Sequence, residues 1–232
     1  MTQLPTEKHP ERLPIGGTKA LDRLRITEIF FSLQGESSHQ GLPCIFVRLT
    51  GCNLRCSWCD TEYAFVGGET MTLDQIIARV AEYPSKRIEL TGGEPLLQKA
   101  TPVLAQRLLD AGYTVLCETS GERDIGVLPA GVKRIVDLKA PGSGESATNR
   151  WENLALLRPG DEIKVVLTDR ADFDWALEAI ARHQINVPIL LSPVHGKLAP
   201  RTLAEWIIVS GIDARLNLQL HKQLWGADAR GV

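Results

Sequence analysis

From Ile45 onward the chain alternates short β-branched and aliphatic runs with longer stretches whose apolar positions recur at helical spacing. The short runs predict strands at Ile45–Leu49, Arg87–Leu90, Thr114–Glu118, Arg134–Leu138, Glu162–Leu167, Pro188–Leu191 and Leu216–Leu220. Between them, Leu73–Glu82, Thr101–Ala111, Asn149–Leu157, Asp172–His183 and Thr202–Ser210 read as amphipathic helices. Strands alternating with helices imply a parallel sheet with helices packed against it. The connections are short, which places residues 25–232 in a single domain. Residues 1–24 break the pattern. They are polar, carry Pro5, Pro10, Pro14 and the Gly16–Gly17 pair, and show no apolar period, so a flexible N-terminal arm is expected there.

Polar clusters close nearly every strand: Thr50-Gly51-Cys52, Thr91-Gly92-Gly93-Glu94, Glu118-Thr119-Ser120-Gly121, Asp137-Leu138-Lys139, Ser192-Pro193-Val194-His195 and Gln219-Leu220-His221. Polar groups gathered at the carboxyl ends of parallel strands mark a barrel-type active face. Six or seven strands are too few for a closed eight-fold barrel. The expected class is therefore α/β, a partial, TIM-like barrel of about six parallel strands with helices outside. An open doubly wound sheet is the alternative that strand counting leaves in place.

Composition narrows the partners. The 232 residues are 44% hydrophobic with a formal net charge of −2, so neither nucleic acid nor a membrane is an expected partner. No signal-peptide pattern opens the sequence, and a cytoplasmic enzyme is expected.

The chemistry concentrates in Gly51-Cys52-Asn53-Leu54-Arg55-Cys56-Ser57-Trp58-Cys59-Asp60. Three thiolates within eight residues can close on one metal centre. Structural zinc wants four protein ligands, as does a fully ligated iron–sulfur cluster, so three cysteines leave one iron open to a small molecule. Cys44 and Cys117 lie in apolar runs and read as core thiols, and no second C-x2-C or H-x3-H pair completes a zinc knuckle. In Thr91-Gly92-Gly93-Glu94-Pro95, two glycines at a strand end let backbone approach a ligand, and the Glu94 carboxylate can accept from a cationic group.

The C-x3-C-x2-C spacing with Trp58 before its last cysteine, followed by the Gly-Gly-Glu-Pro segment, resembles the radical S-adenosylmethionine (SAM) enzymes, which are known for partial barrels. Three further stretches narrow the likeness: Phe30-x-Ser32-x-Gln34-Gly35-Glu36, Phe46-Val47-Arg48-Leu49 running into the cysteine loop, and Gln219-Leu220-His221-Lys222-x-x-Trp225-Gly226 with Arg230-Gly231-Val232. Together they resemble the 7-carboxy-7-deazaguanine synthase family over nearly the whole chain after residue 25.

This resemblance implies conversion of 6-carboxy-5,6,7,8-tetrahydropterin to 7-carboxy-7-deazaguanine with loss of ammonia, on the route to queuosine and other 7-deazapurines. It implies a [4Fe-4S] cluster on Cys52, Cys56 and Cys59, with SAM on the free iron. A reduced cluster would cleave SAM to a 5′-deoxyadenosyl radical that abstracts a substrate hydrogen, so no side chain is assigned a catalytic role. The implied SAM contacts are Ser57, Trp58, Gly93, Glu94, Ser120, Asp137, Lys139, Ser192 and His195. For the pterin they are Leu33, Gln34, Gly35, Glu36, Arg48, Thr91 and Gln219. Thr61 is implied as a ligand to a bound Mg2+. An external electron donor such as flavodoxin and a homodimer are also family expectations. Two other readings keep a place: a glycyl-radical activating enzyme, which shares the cysteine and Gly-Gly-Glu-Pro motifs, and a zinc-stabilised binding module.

Overall fold

The computed structural model describes residues 21–232. In chain order its strands are β1 (Arg23–Leu33), β2 (Pro43–Leu49), β3 (Glu69–Thr72), β4 (Arg87–Gly92), β5 (Thr114–Thr119), β6 (Lys133–Lys139), β7 (Glu162–Leu167), β8 (Ile189–Pro193) and β9 (Arg215–Leu216). The helices are α1 (Leu73–Ala81), α2 (Thr101–Asp110), α3 (Arg170–His183), α4 (Pro200–Ser210) and α5 (Leu220–Trp225). All nine strands join one sheet in the order β3-β1-β2-β4-β5-β6-β7-β8-β9. From β2 to β9 neighbouring strands are parallel, while β1 pairs antiparallel with both β2 and β3. The outermost strands, β3 and β9, do not pair with each other. The α/β expectation of an incomplete barrel therefore holds, with an antiparallel pair added at one edge.

Alternation along each strand separates two environments. Ile45, Val47 and Leu49 of β2, with Ile88 and Leu90 of β4 and Val115 and Cys117 of β5, pack outward on α1 and α2 in one buried cluster. Val136, Leu138, Ile163, Val165 and Leu191 continue that face under α3 and α4 in a second. The inward positions differ in kind. Leu116, Ile135 and Leu190 form a small apolar layer. Beyond them come Arg48, Glu89, Thr91, Glu118 and Lys164, which line a cavity. A strand with both faces covered is ordinarily apolar throughout. Here the inner face is charged.

The helices start where local chemistry stops the strand pattern. Thr72 accepts from Gln75 N, and the Gln75 side chain accepts from Thr72 N, a reciprocal cap on α1. Asp169 caps α3 through Asp172 N at 3.0 Å.

Because β1 runs antiparallel, its end and the following loop, residues 34–42, lie at the amino ends of the parallel strands. The loop folds back on itself through Gln34 N–Leu42 O and Gly41 N–Gln34 O, each 2.8 Å. It then reaches the far edge of the sheet. Ser37 N donates to Asn217 Oδ1 at 2.9 Å, Leu220 N to Gly35 O at 2.9 Å, and Gln40 Nε2 to Leu218 O at 2.7 Å. Loop contacts, not a strand ladder, join the two sides of the sheet.

Several elements depart from the sequence expectation. Most of the arm expected over 1–24 lies outside the described residues, but Arg23 and Leu24 already belong to β1. Neither β1 nor β3 was expected; both pair antiparallel at the sheet edge, outside the βαβ rhythm. Asn149–Leu157 is not an α-helix. It holds a 3-10 stretch at 151–156, just after another at 146–148, because its asparagines are committed elsewhere. Asn149 pairs with both Lys139 N and Lys139 O, and Asn153 binds Gly121 O, Arg123 O and Ile125 N. Leu216–Leu220 is not a strand either. β9 ends at Leu216, the side chain of Asn217 turns to other partners, and α5 begins at Leu220.

Candidate active site

The cysteine loop after β2 is tied down on every side. Gly51 N donates to Ala64 O (2.8 Å) and Ser57 N to Ser143 O (3.0 Å). Arg55 Nη1 spans back to Cys52 O (2.9 Å) while its guanidinium lies 4.2 Å from the Phe65 ring centre. The adjoining end of β4 presses directly against this loop. Glu94 N donates to Gly51 O at 2.8 Å. A Cβ on Gly92 (φ +147°) would lie 2.3 Å from Leu49 O, and one on Gly93 2.3 Å from Gly51 O. These two glycines are needed for that close approach.

The three cysteine side chains line one wall of a cavity of about 340 Å³. Burial raises the pKa of all three thiols, that of Cys52 to about 11. Metal ligation must therefore drive off their protons. Among the described residues no three His, Cys, Asp or Glu side chains meet at the spacing one ion requires. A cluster makes no such demand, since each thiolate takes its own iron. The lining carries a second observation. Trp58 Nε1, Ser120 Oγ and Asp137 Oδ1 are buried without a hydrogen-bond partner, and all three residues line this cavity. Buried polar atoms are normally satisfied, so the lining fits a polar ligand offering both donors and acceptors. Lys139 stands beside them, 2.7 Å from Asp137 Oδ2 and 5.3 Å from the Trp58 ring centre. Burial would lower the Lys139 pKa, but Asp137 outweighs it and the ammonium is held charged.

A second cavity, about 400 Å³, adjoins the first. Thr91, Gly92, Glu118, Lys164, Asp60 and Thr61 line both. Its walls include the stacked rings of Phe30 and Phe46, with centres 4.9 Å apart. Its charge is unusual: of Glu36, Glu89 and Glu118, the first and last share one lysine. Lys164 Nζ lies 3.0 Å from Glu36 Oε2 and also binds Glu118, while Gln34 donates to Glu89. Burial alone would raise the Glu118 pKa, but Lys164 reverses this and holds it ionised. Glu89 has no such partner. Burial, then Glu118 and Glu36, push its pKa well up and favour the neutral acid. Arg48 Nε binds Glu28 Oε1 at 2.7 Å, which also accepts from Tyr63 OH at 2.8 Å. The two terminal nitrogens of Arg48 make no hydrogen bond among the described residues. Beside the last cysteine, Asp60 Oδ2 accepts from Lys222 Nζ (2.7 Å) and Gln219 Nε2 (3.0 Å), and Oδ1 from Thr61 Oγ1 (2.9 Å).

Leu33, Gln34, Gly35, Glu36, Arg48, Thr91 and Gln219, expected around the substrate, all line this larger cavity. Trp58, Gly93, Ser120, Asp137, Lys139, Ser192 and His195, expected around SAM, all line the smaller one. Thr61 borders both. Two residues of the expected SAM set, Ser57 and Glu94, lie outside the smaller cavity's lining. Ser57 points away, its hydroxyl donating to Gly142 O at 2.7 Å. Glu94 is fully buried, and its carboxylate is taken up by Leu96 N (2.8 Å), Thr119 Oγ1 (2.8 Å) and Ser120 N (2.7 Å). It ties the ends of β4 and β5 together. Lys164 and Glu89 were missed as site residues, although each is a charge inside an otherwise apolar strand run, as Arg48 is.

Comparison with known proteins agrees with this geometry. Residues 46–184 match the Radical SAM superfamily. The chain is 47% identical over 226 residues to the 7-carboxy-7-deazaguanine synthase of Koribacter versatilis (strain Ellin345), a match covering 90% of this chain and 100% of that protein. It is 46% identical over 214 residues to the 7-carboxy-7-deazaguanine synthase of Chlorobaculum tepidum, covering 90% and 97%. The crystal structure of QueE from Escherichia coli shares the fold with a TM-score of 0.65 at 22% identity, covering 85% of this chain and 94% of that one.

Proposed function

We propose, from the premise that the chain belongs to the radical SAM superfamily and within it to the 7-carboxy-7-deazaguanine synthases, that its two adjoining cavities hold cofactor and substrate side by side. The substrate of this reading is 6-carboxy-5,6,7,8-tetrahydropterin, contracted to 7-carboxy-7-deazaguanine with loss of ammonia. Cys52, Cys56 and Cys59 hold a [4Fe-4S] cluster, and SAM occupies the rest of the smaller cavity. When bound, cluster and SAM supply the one-electron chemistry that takes a hydrogen atom from the substrate.

The observation that carries the reading is the shared border. Thr91, Gly92, Glu118 and Lys164 line both cavities, which puts the two ligand sites side by side in this reading. Within the larger cavity, the free nitrogens of Arg48 suit the pterin carboxylate. Phe30 and Phe46 offer an aromatic wall for a flat heterocycle. Glu118, held ionised, offers an acceptor, and Glu89, held neutral, an O–H donor. A donor and an acceptor on adjacent strands match the amide-like edge of a pterin.

Thr61 Oγ1 spends its hydrogen on Asp60 Oδ1 and keeps its lone pairs, which makes it the oxygen open to Mg2+. Both Asp60 oxygens already accept hydrogen bonds. Substrate oxygens and water would complete the ion's shell. An external one-electron donor such as flavodoxin, a homodimer and a cytoplasmic setting belong to the same reading. No helix among the described residues is long and apolar enough to cross a membrane.

The test is anaerobic reconstitution with iron and sulfide, followed by incubation with reductant, SAM, Mg2+ and the carboxytetrahydropterin. The reading expects a brown protein and formation of 7-carboxy-7-deazaguanine. A colourless protein holding one zinc, or a loaded cluster that cleaves SAM and leaves the pterin unchanged, would sink it.

A further inference from the structure

Asn217 lies just past β9, is 2% exposed, and borders neither cavity. Its backbone N donates to Leu191 O at 2.9 Å, extending the sheet by one bond. Its side chain joins two segments that nothing in the sheet ladder connects. Oδ1 accepts from Ser37 N at 2.9 Å, and Nδ2 donates to Ser192 Oγ at 2.8 Å. The orientation of the amide follows from its partners. A backbone N–H only donates, so oxygen must face Ser37 and nitrogen must face Ser192.

Both ends of this bridge touch the site. Ser192 lines the smaller cavity. Its hydroxyl oxygen accepts from Asn217, so its hydrogen points elsewhere, and among the described residues no acceptor takes it. The hydroxyl is thereby set to donate. At the other end, Ser37 has φ +65°, a left-handed backbone that a non-glycine residue adopts only when its surroundings hold it there. The residue before it is Glu36, whose carboxylate lies 3.0 Å from Lys164 and borders both cavities.

We infer that Asn217 is a positioning residue that couples the two cavities. It fixes the Ser192 hydroxyl as a donor toward the cofactor and, through Ser37, sets the backbone that places Glu36 in the substrate cavity. This rests on the reading that the smaller cavity takes SAM. A ligand accepting from Ser192 polarises that hydroxyl and strengthens the Asn217–Ser192 bond, which stiffens the Ser37 anchor. Binding on either side then favours binding on the other, by the same factor in both directions.

Equilibrium binding tests this without turnover. SAM and 6-carboxytetrahydropterin are titrated, singly and together, into cluster-loaded protein without reductant. In the unaltered protein each ligand tightens the other by up to about 3-fold, since one existing hydrogen bond is strengthened and not newly made. Asn217→Asp keeps an acceptor for Ser37 N but presents a second acceptor to Ser192, turning the hydroxyl away from the cavity. It should weaken SAM about 3- to 10-fold, bring the coupling near one, and leave pterin affinity alone within about a factor of two. Ser192→Ala should do the same, and Asn217→Asp added to it should weaken SAM no further. Ser192→Ala also decides the matter if the Asp variant fails to hold its cluster. SAM affinity and coupling unchanged in both variants would overturn the inference. Failure of SAM to bind the unaltered, cluster-loaded protein would overturn the reading of the cavity as well.

Discussion

Glu94→Gln separates a ligand contact from a scaffold. The Glu94 carboxylate accepts three hydrogen bonds inside the protein: from Leu96 N and Thr119 Oγ1 on one oxygen, and from Ser120 N on the other. Glutamine keeps one oxygen and can retain the first two. Its amide nitrogen must then face Ser120 N, donor against donor. A buried N–H without a partner costs about 1–3 kcal/mol, and the two remaining bonds lose their charge assistance, so the total is about 2–4 kcal/mol. For a domain of this size that lowers the melting temperature by about 5–15 °C. Ser120 also lines the smaller cavity with an unpaired hydroxyl, so its displacement should weaken SAM binding at the same time. The assay is a thermal melt of the anaerobic, cluster-loaded protein beside a SAM titration. Stability and SAM affinity should fall together. A variant that melts like the parent yet no longer binds SAM would show that Glu94 meets the cofactor directly, and the scaffold argument would be wrong.

Three further outcomes follow from the same geometry. Cys52→Ala, Cys56→Ala or Cys59→Ala should abolish the iron–sulfur absorption, whereas Cys44→Ala or Cys117→Ala, both fully buried, should keep it and lose about 1–3 kcal/mol of stability; iron lost with Cys44 or Cys117 would refute the ligand assignment. In the parent, Glu118 is depressed and Lys164 raised, so their pairing stabilises the fold above the free carboxylate pKa of about 4.3 and below the free lysine pKa of about 10.4. Lys164→Met leaves Glu36 and Glu118 buried without a cation and costs about 3–5 kcal/mol at neutral pH. Their pKa values then rise, so the deficit should grow with pH from 5.5 to 8.5 in parallel melts; a pH-independent deficit would contradict the charge reading. Thr61→Ala should lower the response of activity to added Mg2+ and leave the cluster spectrum unchanged, and activity indifferent to Mg2+ in metal-stripped parent protein would reduce Thr61 to a partner of Asp60.

What was legible in the sequence follows the physics of each signal. The outward faces of the parallel strands and helices α1 to α4 were readable because burial against one another imposes clear periods, as in Ile45–Val47–Leu49 or Leu73–Ile76–Val80. The edge strands were not. β1 is half-buried along most of its length and β3 is short, so neither shows the contrast that marks a strand. Asn149–Leu157 carries a helical apolar period, but Asn149 and Asn153 bind distant backbone, a tertiary commitment that local pattern does not record. The cysteines and the Gly92-Gly93 turn were legible from spacing. The assignment of residues to cofactor or substrate came from family resemblance; Glu36, Thr91 and Gln219 of the substrate set line both cavities, and Ser57 and Glu94 of the SAM set line neither. The saturation of Glu94, the exclusion of Ser57 and the bridge through Asn217 depend on partners brought together only by the fold.

The central claim is that cofactor and substrate share one continuous space, so that hydrogen passes directly between them. Isotope transfer measures this. Cluster-loaded protein is given reductant, SAM, Mg2+ and 6-carboxytetrahydropterin deuterated at the carbon positions of its reduced ring. The account predicts deuterium in the 5′ position of recovered SAM or 5′-deoxyadenosine, appearing together with 7-carboxy-7-deazaguanine. Product formed with no deuterium reaching the nucleoside, or SAM cleaved at the same rate and unlabelled whether or not the pterin is present, would contradict it.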